Sequence, residues 1–387
     1  MSPRNPSASA AAVEPIRLPR PLPLEEVQTP ALLLDVDAFE RNLRRMAEHA
    51  RRHAIGLRPH AKTHKCPLVA RRQLQLGAVG VCAAKISEAE VLVDAGIDEV
   101  LVTSPVVTVE KVRRAVALAL RAPGLRLVVD SERGVELLDQ AAGAAGQVVG
   151  VLVDLDPGVR RTGVAPGAPA LALVERVAEK EFLRFDGLQA YAGHLQHVAG
   201  FTARRKRSRA ALEPCLETRR LVEAAGHEVA IMTGGGTGTF DIDCELEGMT
   251  DLQVGSYAFM DVQYRAIGGP GSDELEAFEP ALFVLATAIS QPIPEAITLD
   301  AGFKAMAFEP ESPPRLRRFP EHAYHYAGDE HGIVRFAGDE RPLRLGDKAE
   351  LVVSHCDPTV NLYDHYHLCR GDQVVELWPI PGRGCSQ

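Results

Sequence analysis

Three consecutive residues near the end of the chain have types that bind metal ions. In "SHCDPTVNLYDHY", these residues are His355, Cys356 and Asp357. If "ELVVSHCD" is a β-strand, alternate side chains share a face, so His355 and Asp357 point together and Cys356 points away. A His/Asp pair suits Mn²⁺, Mg²⁺ or a related ion, a His/Cys pair would favour Zn²⁺, and a β-bulge would change the pairing. A metal site and a chance pattern both remain open from these residues alone.

A lysine in "RPHAKTHK" is a second candidate for chemistry. Lys62 follows a predicted strand and has other cations beside it. An amine in such a place, partly shielded from water, would have a lowered pKa and could form a Schiff base with a carbonyl compound. The alternative is an ordinary surface lysine, which position alone favours.

A glycine-rich stretch, "TGGGTGTF" (233–240), is a third candidate. It follows a predicted strand, and its glycines and threonines would expose backbone N–H groups and hydroxyls suited to a phosphate. It is not the Walker pattern, because no Gly-Lys-Ser/Thr follows, and an ordinary turn is an equal alternative. A phosphate cradle on one strand and a lysine on another suggest pyridoxal phosphate as the cofactor.

These residues belong to an alternation of short apolar runs and amphipathic helical stretches. From "ALLLDV" to "EVAIMTGGGTGT", about eight strand-then-helix units follow one another, and "DLQVGSYAFMD" comes next. This count predicts an α/β fold of the (β/α)8 TIM-barrel type rather than a doubly wound sheet. In such a barrel the strand ends meet in one layer, and the polar residues predicted there are Arg58, His60, Lys62, Asp154, Arg161, Tyr191, His194 and His197.

After about residue 275 the pattern changes to strand-like runs separated by Gly, Pro and Asp turns. This predicts a second, mostly antiparallel β-domain. We therefore predict three parts: a flexible N-terminal tail over residues 1–27, a barrel over 28–272, and a C-terminal β-domain over 273–387 that carries His355 and Asp357.

Composition limits the possible partners. The 387 residues carry a formal net charge of -9, which argues against nucleic acid or an anionic membrane as a partner. We interpret the basic run "ARRKRSRA" (203–210) as a solvated helix face. Seven scattered cysteines without a C-x-x-C pair predict reduced thiols, and the start of the chain is not a signal peptide, so we expect a cytoplasmic protein.

As an ordered set, "RPHAKTHK", "RTG", "YAGH", "TGGGTGT", "DAGFKA" and "HCDPTVNLYD" resemble the D-threonine aldolase and D-serine dehydratase-like family. Its members are fold-type III pyridoxal-phosphate enzymes with an alanine racemase-like barrel. The resemblance implies that Lys62 is the Schiff-base lysine and that His355 and Asp357 bind the metal, Mn²⁺ before Mg²⁺ or Co²⁺. It further implies a base, His197 or a metal-activated water, and a set of cofactor contacts: Arg161, Tyr191, Thr233, Gly235, Gly236, Thr237 and Gly238.

The implied activity is that of a lyase, retro-aldol cleavage of D-threonine and related 3-hydroxy-D-amino acids to glycine and an aldehyde. In this family the metal ligands of the aldolase branch follow the pattern His-x-Asp, which residues 355–357 resemble. Those of the dehydratase branch follow the pattern His-x-Cys, with Zn²⁺. Elimination of water from D-serine or 3-hydroxy-D-aspartate is therefore the alternative. Less favoured are a racemase with Tyr363 as second base and a protein that only binds pyridoxal phosphate. By analogy with the family we expect a homodimer.

Overall fold

The computed structural model of the chain describes residues 13–338 and 340–387, which form two β-sheets and the helices around them. The elements of the N-terminal two thirds are β1 (Ile16–Pro23), β2 (Ala31–Asp35), α1 (Val36–Arg52), β3 (Gly56–Leu57), α2 (Pro67–Gln75), β4 (Val81–Ala83), α3 (Ile86–Asp94), β5 (Val100–Val102), α4 (Val109–Arg121), β6 (Arg126–Val129), α5 (Glu132–Ala145), β7 (Val149–Leu155), α6 (Ala168–Ala178), β8 (Leu183–Ala190), α7 (Phe201–Ala224), β9 (Ile231–Gly234), α8 (Phe240–Asp243) and β10 (Asp251–Leu252).

The remaining elements belong to the C-terminal third of the chain. They are α9 (Val262–Arg265), β11 (Leu282–Ile293), β12 (Ala296–Leu299), β13 (Arg315–Leu316), β14 (Ala323–Tyr326), β15 (Gly332–Arg335), β16 (Lys348–Val352), α10 (Cys356–Val360), β17 (His365–Arg370) and β18 (Gln373–Pro379).

The first sheet is the predicted parallel barrel. Its strand order is β3-β10-β9-β8-β7-β6-β5-β4, and a parallel bridge between His60 and Cys82 brings the β3 and β4 ends together. β7 shows why these runs form barrel strands: all seven residues of "VGVLVDL" are buried, as expected for a strand covered on both faces. The fold prediction, an alanine racemase-like barrel with a second β-domain, is confirmed.

The barrel begins one strand later than the sequence pattern indicated. "ALLLDV", the first predicted barrel strand, is β2, which pairs antiparallel with β11 and parallel with β17 in the second sheet. The eighth barrel strand is β10, which pairs with β3 and β9. β2 is buried on both faces, with Leu32 and Leu34 in one core cluster and Leu33 in another. Its apolar run therefore looks like that of a barrel strand.

The predicted N-terminal tail is wrong for residues 13–27. β1 pairs antiparallel with β18 along the edge of the second sheet, and Leu24 and Val27 are buried beyond it. The prolines that suggested a tail are tolerated here because an edge strand leaves N–H positions unpaired on its outer side. Residues 1–12 of the predicted tail lie outside the described residues.

The second sheet has the order β1-β18-β17-β2-β11-β12-β15-β14-β13-β16, and β11 also pairs with β16. Strands β11 to β16 thereby close into a ring, and most of the pairings are antiparallel. β1 and β2 join this sheet from the start of the chain. The division at residues 272 and 273 therefore stays a prediction.

Two further features of the described residues concern disulfide bonds and membrane-spanning helices. Six buried cysteines, all among these residues, form no disulfide. None of the helices described combines the length and the apolar character that a membrane crossing requires.

The strand β1 yields a stability prediction. Deleting residues 1–23 removes β1, uncovers the edge of β18 and exposes the cluster against which Leu18 and Leu22 pack. We expect the free energy of unfolding to fall by about 1–3 kcal/mol, measured by urea denaturation. A chain that lacks only residues 1–12 keeps β1 and serves as the control. Equal stability of the two truncated chains would contradict a structural role for β1.

Candidate active site

A cavity of about 440 Å³ lies at the carboxyl ends of the barrel strands. Its wall contains much of the polar layer expected from the sequence, together with side chains from the loops that follow the strands. Among the lining residues are His60, Lys62, Thr103, Asp154, Arg161, Gln189, Tyr191 and His194. The carboxyl ends of barrel strands are where TIM-barrel enzymes carry their active sites, so this cavity is the candidate active site.

Lys62 meets a residue of the C-terminal domain in this cavity. Its Nζ donates a hydrogen bond to Asp357 Oδ2 at 2.6 Å, although 295 residues separate the two in the sequence. The nearby Asp357 carboxylate raises the pKa of Lys62, and burial opposes this effect without cancelling it. The sequence predicted a lowered pKa for Lys62 because of the neighbouring cations. This prediction is wrong for the chain without a cofactor, because the charge beside the amine is the Asp357 carboxylate.

The segment that carries His355 and Asp357 is not a strand. β16 ends at Val352, and His355 is the residue before the short helix α10. Strand alternation therefore does not orient the pair, but the two side chains do influence each other. Burial disfavours the Asp357 carboxylate, yet Lys62 and His355 together hold the pKa of Asp357 well below its usual range. Asp357 Oδ1 is buried and makes no hydrogen bond of normal geometry to any described residue.

The Cys356 side chain faces the segment that precedes α9. Its thiol donates to the carbonyl of Met260 at 3.5 Å, its side chain is fully buried, and burial raises its pKa. The Cys356 N–H donates to Asp261 Oδ2 at 3.1 Å, while Asp261 Oδ1 accepts from the N–H of Tyr264 at 2.9 Å. Asp261 thus joins α9 to the His355–Asp357 turn. Asp261 was not among the residues predicted from the sequence, although an Asp at the start of a helical stretch is a capping signal.

His197 lies beside this pair. Its ring centroid is 6.4 Å from that of His355 and 4.5 Å from that of Tyr264. Partial burial and the neighbouring His355 lower the pKa of His197 to about 4. The imidazole is therefore neutral at neutral pH and can accept a proton. A second acidic group, Glu309, approaches His355 Nδ1 to 3.9 Å and was not predicted.

The glycine-rich loop connects β9 with α8 and is buried. Among the described residues, the N–H groups of Gly235, Gly236 and Thr237 have no backbone acceptor. Gly235 has a φ of +67°, which strains any residue with a Cβ, and a Cβ at Gly236 would lie 2.5 Å from Gln196 Oε1 and displace that side chain. Consecutive buried N–H groups without acceptors fit a phosphate.

Two residues of this stretch that were predicted to contact the cofactor make hydrogen bonds to other groups of the protein. The Gly238 N–H donates to Gln196 Oε1 at 2.9 Å and is not free for a phosphate. The Thr233 hydroxyl donates to Asp251 Oδ1 at 2.6 Å inside the barrel. Cofactor contacts of Gly238 and Thr233 stay predictions without support from these hydrogen bonds.

Arg161 and Tyr191 are neighbours at the cavity wall. The guanidinium carbon of Arg161 is 5.8 Å from the centroid of the Tyr191 ring. Burial raises the pKa of Tyr191, and the nearby Lys62 opposes the increase. Both side chains border the same space as Lys62, and their predicted contacts with a cofactor ring stay predictions.

Arg204 belongs to the basic run that we interpreted as a solvated helix face. Most of that run is exposed, but Arg204 is fully buried. Its guanidinium donates to four backbone carbonyls, those of Gly238, Val198, Ile267 and Gly268, at 2.6–2.8 Å. Arg204 therefore joins the glycine-rich loop to the loop that follows His197 and to the end of the barrel.

Comparison with known proteins gives a consistent result. The alanine racemase N-terminal domain matches residues 34–262, and a putative serine dehydratase domain matches residues 281–369. The chain is 40% identical to the D-threonine aldolase of Arthrobacter sp., over 98% of this chain and 100% of that protein. It is 36% identical to a 3-hydroxy-D-aspartate aldolase of Paracoccus denitrificans, over 93% of each chain. A D-threo-3-hydroxyaspartate dehydratase of Delftia sp. is more distant, at 28% identity over 91% of this chain and 97% of that protein.

A solved structure agrees with these relatives. The crystal structure of D-threonine aldolase from Filomicrobium marinum superimposes with a TM-score of 0.90 at 41% identity. The alignment covers 97% of this chain and 100% of that one. The similarity therefore includes both sheets.

The buried guanidinium yields a second prediction. Replacing Arg204 by Ala leaves four buried carbonyls without their donor, so we expect the free energy of unfolding to fall by about 3 kcal/mol or more. Arg207→Ala, an exposed position of the same helix, should change it by less than about 0.5 kcal/mol. Denaturant unfolding of the two variants measures the difference, and similar values for both would contradict the role of Arg204.

Proposed function

Because the chain belongs to the family of proteins with an alanine racemase N-terminal domain, and within it to the D-threonine aldolases, we propose that it cleaves D-threonine and related 3-hydroxy-D-amino acids to glycine and an aldehyde. By this membership the protein is an aldehyde-lyase. The Arthrobacter and Paracoccus aldolases are named for substrates with different side chains, so the substrate range of this chain is part of the proposal.

One observation carries the proposal. Lys62, at the end of a barrel strand, lies 2.6 Å from Asp357, which comes from the other sheet. A retro-aldol site needs an amine that can hold a carbonyl cofactor and, next to it, groups that bind and deprotonate the β-hydroxyl. The contact supports the proposal, because it joins the proposed Schiff-base lysine to a proposed metal ligand.

Pyridoxal phosphate fits the residues present. Lys62 would hold it covalently, and the N–H groups of Gly235, Gly236 and Thr237 would bind its phosphate, because they are buried and lack backbone acceptors. When bound, this cofactor delocalises the electron pair that remains on Cα when the Cα–Cβ bond breaks. Arg161 and Tyr191 would border its ring from the cavity wall.

A divalent metal ion also fits. His355 and Asp357 would hold it, since Asp357 Oδ1 is buried without a partner of normal geometry and His355 is near enough to help lower the pKa of Asp357. The nitrogen and oxygen donors agree with Mn²⁺, with Mg²⁺ or Co²⁺ as the other ions proposed. When bound, such an ion acts as a Lewis acid that acidifies the β-hydroxyl.

The chain's own residues then move the proton. A ring nitrogen of His197 accepts the proton of the β-hydroxyl, which its lowered pKa allows at neutral pH. Asp261 keeps the His355–Asp357 turn in place through the Cys356 N–H. The aldehyde departs with Cβ, and a proton taken up at Cα completes glycine.

The other activities have less support. Elimination of water in the manner of the His-x-Cys branch would need a cysteine two residues after His355, where this chain has Asp357, and the thiol of the adjacent Cys356 faces the carbonyl of Met260. A racemase would need a free second base, yet the hydroxyl of Tyr363 donates to the carbonyl of Ala305 at 2.6 Å, and burial raises its pKa. A protein that only binds the cofactor would have no use for the paired His355 and Asp357. A homodimer and a cytoplasmic location stay predictions.

Product analysis tests the proposed reaction. The purified chain is incubated with D-threonine, pyridoxal phosphate and Mn²⁺, with and without EDTA. We expect glycine and acetaldehyde in equal amounts, with EDTA abolishing both. Ammonia and 2-oxobutanoate in their place would mean that the chain is a dehydratase, and L-threonine would mean that it is a racemase. Lys62→Ala should lower the rate by at least about 10³-fold.

A pair of adjacent substitutions tests the metal ligands. Asp357→Asn weakens the predicted site, so we expect Mn²⁺ affinity in equilibrium dialysis and the rate of glycine formation to fall by about 100-fold. Cys356→Ser is the matched control and should retain Mn²⁺ affinity within a few-fold, because its thiol points to Met260. A larger loss of metal in Cys356→Ser than in Asp357→Asn would overturn the assignment.

A further inference from the structure

A cluster of metal-binding side chains lies outside the candidate active site. His49 is in the last turn of α1, His53 is the capping residue that ends this helix, and Cys244 follows α8. One ligand atom from each of the three residues lies within 4.8 Å of the other two. None of the three lines the active-site cavity or belongs to the residues assigned to pyridoxal phosphate and its metal.

The two histidines have the spacing that a helix needs to bind one ion. Residues four apart lie on the same face of an α-helix, one turn above the other. The ring centroids of His49 and His53 are 4.4 Å apart with an angle of 33° between the ring planes. Cys244 adds a third ligand from a different element, so an ion held here would join α1 to α8.

One ring nitrogen of His49 is buried without a hydrogen-bond partner among the described residues. Its Nε2 is buried and makes no hydrogen bond of normal geometry with any described residue, although the backbone of Phe240 is near the ring. A buried nitrogen without a partner costs free energy, and such groups call for an explanation. A metal ion bound at Nε2 would give this nitrogen a partner.

The Cys244 thiol is buried and lies near the carboxyl groups of Glu245, Asp241 and Asp243, and burial raises its pKa. Binding displaces the thiol proton to solvent, so the thiolate forms one bond to the metal as its S–H bond is lost.

We propose that His49, His53 and Cys244 form a second metal site, selective for Zn²⁺ or Co²⁺. Two imidazoles and one thiolate are the ligands that these ions prefer over Mn²⁺ and Mg²⁺, with water in the fourth position. Ligand atoms in a tetrahedral zinc site are about 3.3–3.7 Å apart, given Zn–N and Zn–S bonds of about 2.0 and 2.3 Å. The three ligand atoms lie within 4.8 Å of one another, so the closure needed to reach this spacing is at most about 1.5 Å.

The site would support the glycine-rich loop. The ring of His49 packs edge-on against Phe240, with centroids 4.8 Å apart, and Phe240 is the residue that begins α8 after "TGGGTGT". A metal bridge between α1 and Cys244 would restrain α8 at both ends. The assignment does not depend on the reaction catalysed.

Cobalt titration tests this assignment directly. The full-length chain, freed of metal by a chelator and dialysed, is titrated with Co²⁺ while the near-ultraviolet absorption is recorded. A cobalt–thiolate bond gives a charge-transfer band there, whereas the His355–Asp357 site contains no thiolate. We expect the band in the wild type and in Cys369→Ser, a buried cysteine distant from the cluster in sequence, and no band in Cys244→Ser.

A second variant, His53→Gln, tests the proposed site if Cys244→Ser does not fold. His53 is exposed at the end of a helix, so its replacement leaves the core intact. We expect the Co²⁺ affinity read from the charge-transfer band to fall by at least about 10–100-fold in this variant. No band in the wild type at saturating Co²⁺, a band that persists in Cys244→Ser, or one lost in Cys356→Ser instead would overturn the assignment.

Discussion

The contact between Lys62 and Asp357 is the constraint on which the rest of the site depends. It joins the end of a barrel strand to a turn of the second sheet, and it holds only if the two sheets keep a fixed position relative to each other. Two further contacts hold the lysine loop against the C-terminal segment. The hydroxyl of Tyr366 donates to the carbonyl of His64 at 2.7 Å, and the N–H of Gly382 donates to the carbonyl of Lys65 at 3.0 Å. The C-terminal domain is therefore part of the site.

Below the lysine the barrel contains polar groups that satisfy one another. Asp251 accepts from Arg58 and Thr233, and Gln189 connects Gln253 with Asp154. Burial in this network raises the pKa of Asp154 to about 6. Buried polar groups are costly unless paired, so these hydrogen bonds hold the strands that carry them in one position, and Arg58 Nη1 is the member of the network that has no partner among the described residues. The network thereby holds the strand ends that bear the lysine and the glycine-rich loop.

Two residues outside the reacting groups give the site its shape. Arg204 holds the glycine-rich loop and its neighbours through their carbonyls, and Asp261 holds the His355–Asp357 turn through an N–H. Both bind backbone atoms.

The sequence by itself determined the elements and the types of chemistry. The alternation of strands and helices predicted the barrel, since the period of apolar residues reflects burial within each element. The local motifs located Lys62, the glycine-rich loop and the His355–Asp357 pair. β2 was assigned to the wrong sheet because a strand buried on both faces has the same apolar pattern in either one. β1 was missed because its pairing with β18 spans almost the whole chain.

Only the tertiary structure decided how distant groups affect one another. Neighbouring cations in the sequence suggested a lowered pKa for Lys62, but a carboxylate 295 residues away raises it. Arg204 resembled its exposed neighbours in the basic run until its four carbonyl partners, from three separate segments, were in place. His49, His53 and Cys244 likewise come together only when α1 packs against α8. Charge, hydrogen bonding and metal ligation depend on distances in space, and distance along the chain does not determine these.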